Sequence, residues 1–179
     1  HNPRYQELYV RWMQFGTFCP MMRSHGTEVY REIYHYGKPG EPAYDALLGA
    51  VKLRYQILPY IYSLSWQVSK NDDSFMRALV MDFKDDKNTW DNNREFMFGH
   101  SFLVAPVLNA LYTPESANET NEISGWDKNK KSLYQEGFKA DWYAKKTYSV
   151  YLPAASAKQI WYDFWTGEAI EGGKTIEAD

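Results

Sequence analysis

Apolar residues recur at helical spacing from the start of the chain. Leu8, Trp12 and Phe15 fall on one face, with Tyr9 and Met13 beside them, and Gly16 follows. The spacing predicts an amphipathic helix over 7–15 that ends at the glycine. The run Phe18-Cys19-Pro20-Met21-Met22 comes next and stops abruptly in Arg23-Ser24-His25-Gly26. It reads as a short buried strand with an irregular start, because Pro20 removes a ladder donor. A packed strand ends in polar residues where its tip meets something polar. After a Gly- and Pro-punctuated loop to Glu41, the residues Tyr44, Leu47, Leu48, Val51, Tyr55, Leu58 and Tyr62 keep one face apolar. They predict a long helix from Pro42 to about Val68, kinked where the Pro59 ring displaces the Tyr55 carbonyl.

Beyond Ser74 the period shortens. Strands are expected over 76–83, 96–98, 102–108, 149–152 and 159–165, with hairpin-type turns at Thr166-Gly167 and Gly172-Gly173. The chain is therefore read as α+β, helix-rich over residues 1–75 and strand-rich over 76–179. Residues 109–146 are polar, lysine-rich and weakly patterned, and read as an insertion between two strands. Asn118-Glu119-Thr120 within it fits the glycosylation sequon, a triplet that also arises by chance.

Charge and composition narrow the function classes. A net charge of −3 gives no electrostatic footprint for nucleic acid or an anionic membrane. The one cysteine, Cys19, cannot build an internal disulfide or a cysteine-based zinc site. His1, His35 and His100 have no partners at metal-ligand spacing. No phosphate-binding glycine loop or nucleophile elbow is present, so no metal and no cofactor is expected. No apolar run reaches the length of a membrane span. Aromatic residues make up 17% of the chain, which suits sugar stacking and equally suits a plain core. The clusters at Tyr60–Tyr62 and Trp161–Trp165 are read as core and domain interface rather than as a sugar platform. A start in mid-pattern at His1 suggests a piece of something longer.

Helix, short strand with a polar tip, long helix and then a β-domain is the order in which a (β/α)8 TIM barrel finishes and hands over to an antiparallel β-sandwich. In such a barrel the polar tips of strands gather at the active-site end. The sequence also resembles glycoside hydrolase family 31, the α-glucosidases and α-xylosidases. Arg11-Trp12-Met13-Gln14-Phe15-Gly16, Phe18-Cys19-Pro20, Arg23-Ser24-His25, Leu53-Arg54-Tyr55 and Leu58-Pro59-Tyr60-Ile61-Tyr62 resemble its late barrel. Met76-Arg77, Asp82-Phe83, Phe98-Gly99, Leu103-Val104-Ala105-Pro106-Val107, Tyr151-Leu152-Pro153 and Trp161 to Gly167 resemble its next domain, in family order.

The resemblance implies a retaining α-glycosidase acting on α-linked oligosaccharides, with one aspartate as nucleophile and another as acid/base. Neither family motif occurs in these residues. Asp45, Asp82 and Asp163 match no catalytic position, so the chain by itself is expected to be inactive. His25 matches a histidine that hydrogen-bonds sugar hydroxyls at the cleavage subsite. Arg23 matches an arginine on the same strand, which braces neighbouring carboxylates or touches sugar. The stretch Arg31-Glu32-Ile33-Tyr34 resembles the α-xylosidase branch, while Glu28 and Glu32 also fit a solvated loop. Xylose and glucose remain open as substrates. A non-catalytic carbohydrate-binding β-module is the alternative reading. An uncovered apolar helix face is expected to drive self-association.

Overall fold

The computed structural model describes residues 3–26, 30–113, 140–156 and 158–179. Glu28, the Asn118 sequon and most of the expected insertion lie outside the described residues. Helix α1 spans Pro3–Thr17, α2 Pro42–Gln56, α3 Leu58–Asn71 and the short α4 Leu79–Asp82. The strands are β1 Met76–Ala78, β2 Phe96–Phe98, β3 Phe102–Val104, β4 Tyr148–Leu152, β5 Ile160–Tyr162, β6 Ala169–Glu171 and β7 Lys174–Ala178.

Helices α1 and α2 pack through a stripe set by the helical period. Tyr9, Val10, Met13 and Thr17 of α1 are buried against Ala43, Leu47 and Ala50 of α2. The two alanines let the backbones approach, and the Thr17 hydroxyl donates to both Met13 O (3.0 Å) and Ala50 O (3.2 Å). Leu47 is fully buried, which contributes about 1.5–3 kcal/mol of transfer free energy.

The single long helix expected after Pro42 is two helices. Pro59 sits in the first turn of α3, where a missing N–H leaves no bond unmade. It could not donate back to Tyr55, so the ladder stops at Ile57. Ile57 N–H closes α2 on Leu53 O (3.0 Å), and its carbonyl accepts Ile61 N–H (3.0 Å) to open α3. The expected apolar stripe splits at this break. Leu47 turns inward, whereas Tyr55, Leu58 and Tyr62 are exposed, and off the stripe Ile61 is buried and Trp66 exposed.

The inner face of α3 meets the first sheet. Ile57, Ile61 and Leu64 share a core with Phe98 and Val104, joined by Phe18, Tyr60 and Phe102. That sheet has the order β1-β2-β3 and is antiparallel throughout, with Met76 opposite Phe98 and Phe96 opposite Val104. Two further antiparallel ribbons pair β4 with β7 and β5 with β6. A smaller core of Leu79, Phe83 and Met97 holds Trp161, whose indole N–H donates to Pro153 O (2.8 Å).

Five further expectations need correcting. Residues 18–21 form a turn and bends off the end of α1, with no ladder over 18–22 among the described residues. A strand exists only through its partners, and none lies alongside. Residues 76–83 begin as β1 but turn helical at Leu79, because Leu79 and Phe83, four apart, both face the same core. The β3 and β5 strands are shorter than predicted. Gly172-Gly173 does not close a hairpin, since β6 pairs with β5 and β7 with β4; the two glycines carry the chain from one ribbon to the other.

Candidate active-site cleft

The C-terminus of α1 delivers the polar tip. After Thr17 the backbone bends, and its carbonyls would be left open if nothing met them. Arg54 of α2 meets them. Its guanidinium donates to Thr17 O (2.8 Å), Cys19 O (2.6 Å) and Pro20 O (3.0 Å). A planar fork of N–H groups suits several fixed acceptors at once, which a lysine could not match. This staple turns the chain so that Met22 to Gly26 runs out along α1.

Downstream, a buried tyrosine fixes the same segment. The Tyr9 hydroxyl lies 2.5 Å from Ser24 Oγ and 2.5 Å from Arg31 O. Ser24 Oγ also lies 3.3 Å from Arg31 O. The Arg31 to Tyr36 stretch is itself anchored, because Gln6 Nε2 donates to Tyr36 O (3.1 Å) and the Tyr36 hydroxyl to Tyr30 O (3.0 Å). Tyr36 is fully buried, and that burial, with Tyr5 and Tyr9 beside it, pushes its phenol far above the ordinary tyrosine range.

These elements enclose a cleft of about 390 Å³ whose lining includes Tyr9, Trp12, Arg23, Ser24, His25 and Arg31. Both residues singled out in the sequence are thus in one cleft, and both are exposed to solvent. Arg23 Nη2 lies 3.3 Å from His25 Nδ1. A guanidinium only donates, so Nδ1 accepts and the ring proton belongs on Nε2. Arg23 therefore braces the imidazole, and no carboxylate meets it among the contacts of the described residues. The free Nε2–H of His25 is a donor suited to a hydroxyl oxygen.

The one thiol in the cleft, Cys19, is not activated. Burial pushes the Cys19 thiol up, and the nearby Arg54 charge offsets only part of that, which is the reverse of an activated nucleophile. The aspartates weighed as carboxylates are all structural. Asp45 accepts from Gly40 N (3.1 Å). Asp82 receives a bidentate pair from Arg77 (2.8 Å each). Asp163 caps its own turn through Thr166 and Trp165. Among the described residues, no cluster of His, Cys, Asp or Glu could hold a metal ion.

A larger cleft of about 640 Å³ runs along the seam between the helices and the strands, lined by Arg11, Gln14, Lys52, Val104 and Tyr148 among others. It has no imidazole and no paired carboxylates, so the chemistry points to the smaller cleft. The aromatic clusters divide. Tyr60 and Trp161 belong to the core, while Tyr62 and Trp165 are exposed. Tyr9, Ser24 and the Arg54 staple were not singled out for a role in the sequence. Ser24 and Arg54 had a signal there only as parts of family motifs; a hydroxyl that bridges a serine fifteen residues on and a carbonyl beyond it leaves no local mark.

Comparison with known proteins places the chain in a family. The family signature described as "Glycosyl hydrolases family 31 TIM-barrel domain" matches residues 1–64. A second, "Glycosyl hydrolase family 31 C-terminal domain", matches residues 72–122. The chain belongs to glycoside hydrolase family 31. It is 36% identical over 174 residues to an alpha-xylosidase of Saccharolobus solfataricus, covering 97% of this chain and 18% of that protein. It is 38% identical over 105 residues to the lysosomal alpha-glucosidase of Mus musculus, covering 58% of this chain and 11% of that protein. The crystal structure of a family 31 alpha-xylosidase from Xanthomonas citri superposes with a TM-score of 0.72 at 36% identity, covering 98% of this chain and 15% of that one. The chain thus spans less than a fifth of the length of these relatives.

Proposed function

We propose that residues 1–75 form the closing part of a (β/α)8 catalytic barrel and that residues 76–179 form the β-sandwich domain behind it, in a retaining α-glycosidase. The reaction is hydrolysis of terminal α-xylosidic or α-glucosidic bonds of oligosaccharides by double displacement. That reaction needs two carboxylates about 5 Å apart. They are not among the aspartates described above, so other residues of a whole enzyme supply them, while this chain supplies the sugar contact. The observation that carries the reading is the Arg23–His25 pair, which holds an imidazole N–H in a cleft walled by Trp12 and Tyr9. A hydroxyl of the sugar accepts from Nε2–H, and the indole of Trp12, which lines the same cleft, offers a ring to its C–H surface. The nearly full-length match to an alpha-xylosidase supports α-xylosides as the first substrates to try.

The test uses nitrophenyl α-xyloside and α-glucoside. A whole enzyme carrying this sequence is expected to cleave one of them with retention of anomeric configuration, and the 179-residue chain to cleave neither. An inverted product, or turnover by the chain above a buffer blank, contradicts the reading.

The isolated chain also exposes Tyr55, Leu58, Tyr62 and Trp66 across α2 and α3. Clustered rings and aliphatics of this kind are unusual on a soluble monomer and drive association. In the whole enzyme the remaining barrel covers this face; alone, two copies bury it against each other. Size exclusion with light scattering is expected to give a mass above the 21.0 kDa monomer. A clean monomer at micromolar concentration that binds no apolar dye overturns the self-association.

A further inference from the structure

We propose that Tyr9 is a positioning residue for sugar binding: its hydroxyl clamps Ser24 to the Arg31 carbonyl and so fixes the adjacent His25, a reading that rests on the sugar contact assigned to His25 above.

The Tyr9 side chain is buried, and its ring lies 4.3 Å from the ring of Tyr36. Its hydroxyl meets the segment that lines the cleft. There it meets two partners at 2.5 Å, Ser24 Oγ and Arg31 O. The protons permit one arrangement that uses both contacts. A carbonyl only accepts, so Tyr9 donates to Arg31 O, and Ser24 donates its single proton to the Tyr9 oxygen. The longer Ser24 Oγ to Arg31 O contact at 3.3 Å is then the weaker branch.

The clamp ties Ser24 and the Arg31 carbonyl to α1. His25 follows Ser24 directly, and among the described residues its imidazole has one hydrogen bond, the 3.3 Å contact with Arg23. Arg23 is itself exposed and sits on the same segment, so it cannot fix the imidazole relative to the rest of the molecule. The Arg54 staple acts on the carbonyls of Thr17, Cys19 and Pro20, upstream of Met22. Between Pro20 and His25, the side-chain tie to another element is the Tyr9–Ser24 bond. A hydroxyl midway along α1 thereby sets where a donor on the next segment stands. Misplacing such a donor by an ångström weakens its bond to substrate in a way that burial elsewhere does not restore.

Tyr9→Phe in a whole enzyme keeps the ring and removes the clamp. The expected result is a fall in kcat/KM of roughly 3- to 30-fold, read against a thermal midpoint that moves little. The decisive readout is a double-mutant cycle with His25→Ala. If Tyr9 acts through His25, Tyr9→Phe has no further effect once the imidazole is gone. Ser24→Ala, an exposed position that should not compromise folding, is expected to show the same dependence on His25. Equal losses from Tyr9→Phe and from Ser24→Ala in both backgrounds would mean that they serve the fold alone, and the proposal fails. No loss in either background also overturns it. If His25→Ala itself leaves kcat/KM unchanged, the sugar-contact reading falls first, and Tyr9 has nothing to position.

Discussion

Gly99→Ala is expected to lower the thermal midpoint of the chain by roughly 6–12 °C, because it costs about 3 kcal/mol. Gly99 turns the chain between β2 and β3 with φ at +59°, in the left-handed region. A side chain there costs roughly 1–2 kcal/mol in backbone terms alone. Space is the larger obstacle. An added Cβ would stand 2.3 Å from the Tyr60 hydroxyl and 3.0 Å from a Leu64 methyl. Tyr60 cannot simply swing away, since its hydroxyl donates to Phe98 O (2.8 Å) and accepts from Ser101 N–H (3.3 Å). The contact joins α3 to the first sheet, so the damage reaches the core that links helices to strands. Tyr60→Phe removes the oxygen that the new Cβ would strike. Gly99→Ala should therefore cost less in the Tyr60→Phe background. Strict additivity would show that backbone conformation, not the Tyr60 contact, sets the penalty.

The second large effect belongs to Glu7, a carboxylate on the buried face of α1. It accepts from Leu111 N–H (2.7 Å), Tyr112 N–H (3.1 Å) and the Thr113 hydroxyl (2.7 Å), with Arg11 at 3.4 Å. One side chain thus ties α1 to a segment about a hundred residues later. Burial by itself would raise its pKa, but the bonds from Leu111, Thr113 and Tyr112 and the Arg11 charge outweigh it and hold the carboxyl below the usual range. Glu7→Leu leaves those buried donors open and is expected to cost about 3–5 kcal/mol. The pH dependence has a definite sign. With its folded pKa depressed, Glu7 stabilises fully above the ordinary glutamate pKa of about 4.3 and loses that contribution as pH falls through the folded value. Urea midpoints measured from pH 7 downward should fall less steeply for Glu7→Gln than for the parent chain. Parallel acid limbs would remove Glu7 from the account.

Glu7 also marks where reading the sequence stops. In the helical pattern it is one more acidic residue beside Leu8, and nothing local announces that it is buried. Its partners lie at the edge of the polar stretch that reads as an insertion. The same holds for the Tyr9 hydroxyl. What the sequence makes legible is local period: α1, the β2 strand at Phe96–Phe98 and β4 around Val150 follow from spacing, and the Pro42 start of α2 from its position. Where two local signals compete, packing decides. Leu79 and Phe83 sit in a stretch rich in strand formers, yet both are pulled into one core by a helical turn. The strand expected at 18–22 fails for a different reason: a ladder requires neighbours, which no pattern within those residues supplies. The Arg23-Ser24-His25 tip was legible because an apolar run that ends in polar residues is a physical anomaly. The structure gathers all three at one cleft.

That cleft is where the account is most exposed to test. In a whole enzyme carrying this sequence, kcat/KM for the cleaved nitrophenyl glycoside should be measured for the parent and for His25→Ala, together with the thermal midpoint of each. Loss of one hydrogen bond to a sugar hydroxyl, worth about 1–3 kcal/mol, predicts a fall of roughly 5- to 150-fold with little change in the midpoint. An unchanged kcat/KM would show that His25 does not touch the sugar and would contradict the assignment of this cleft as the substrate site.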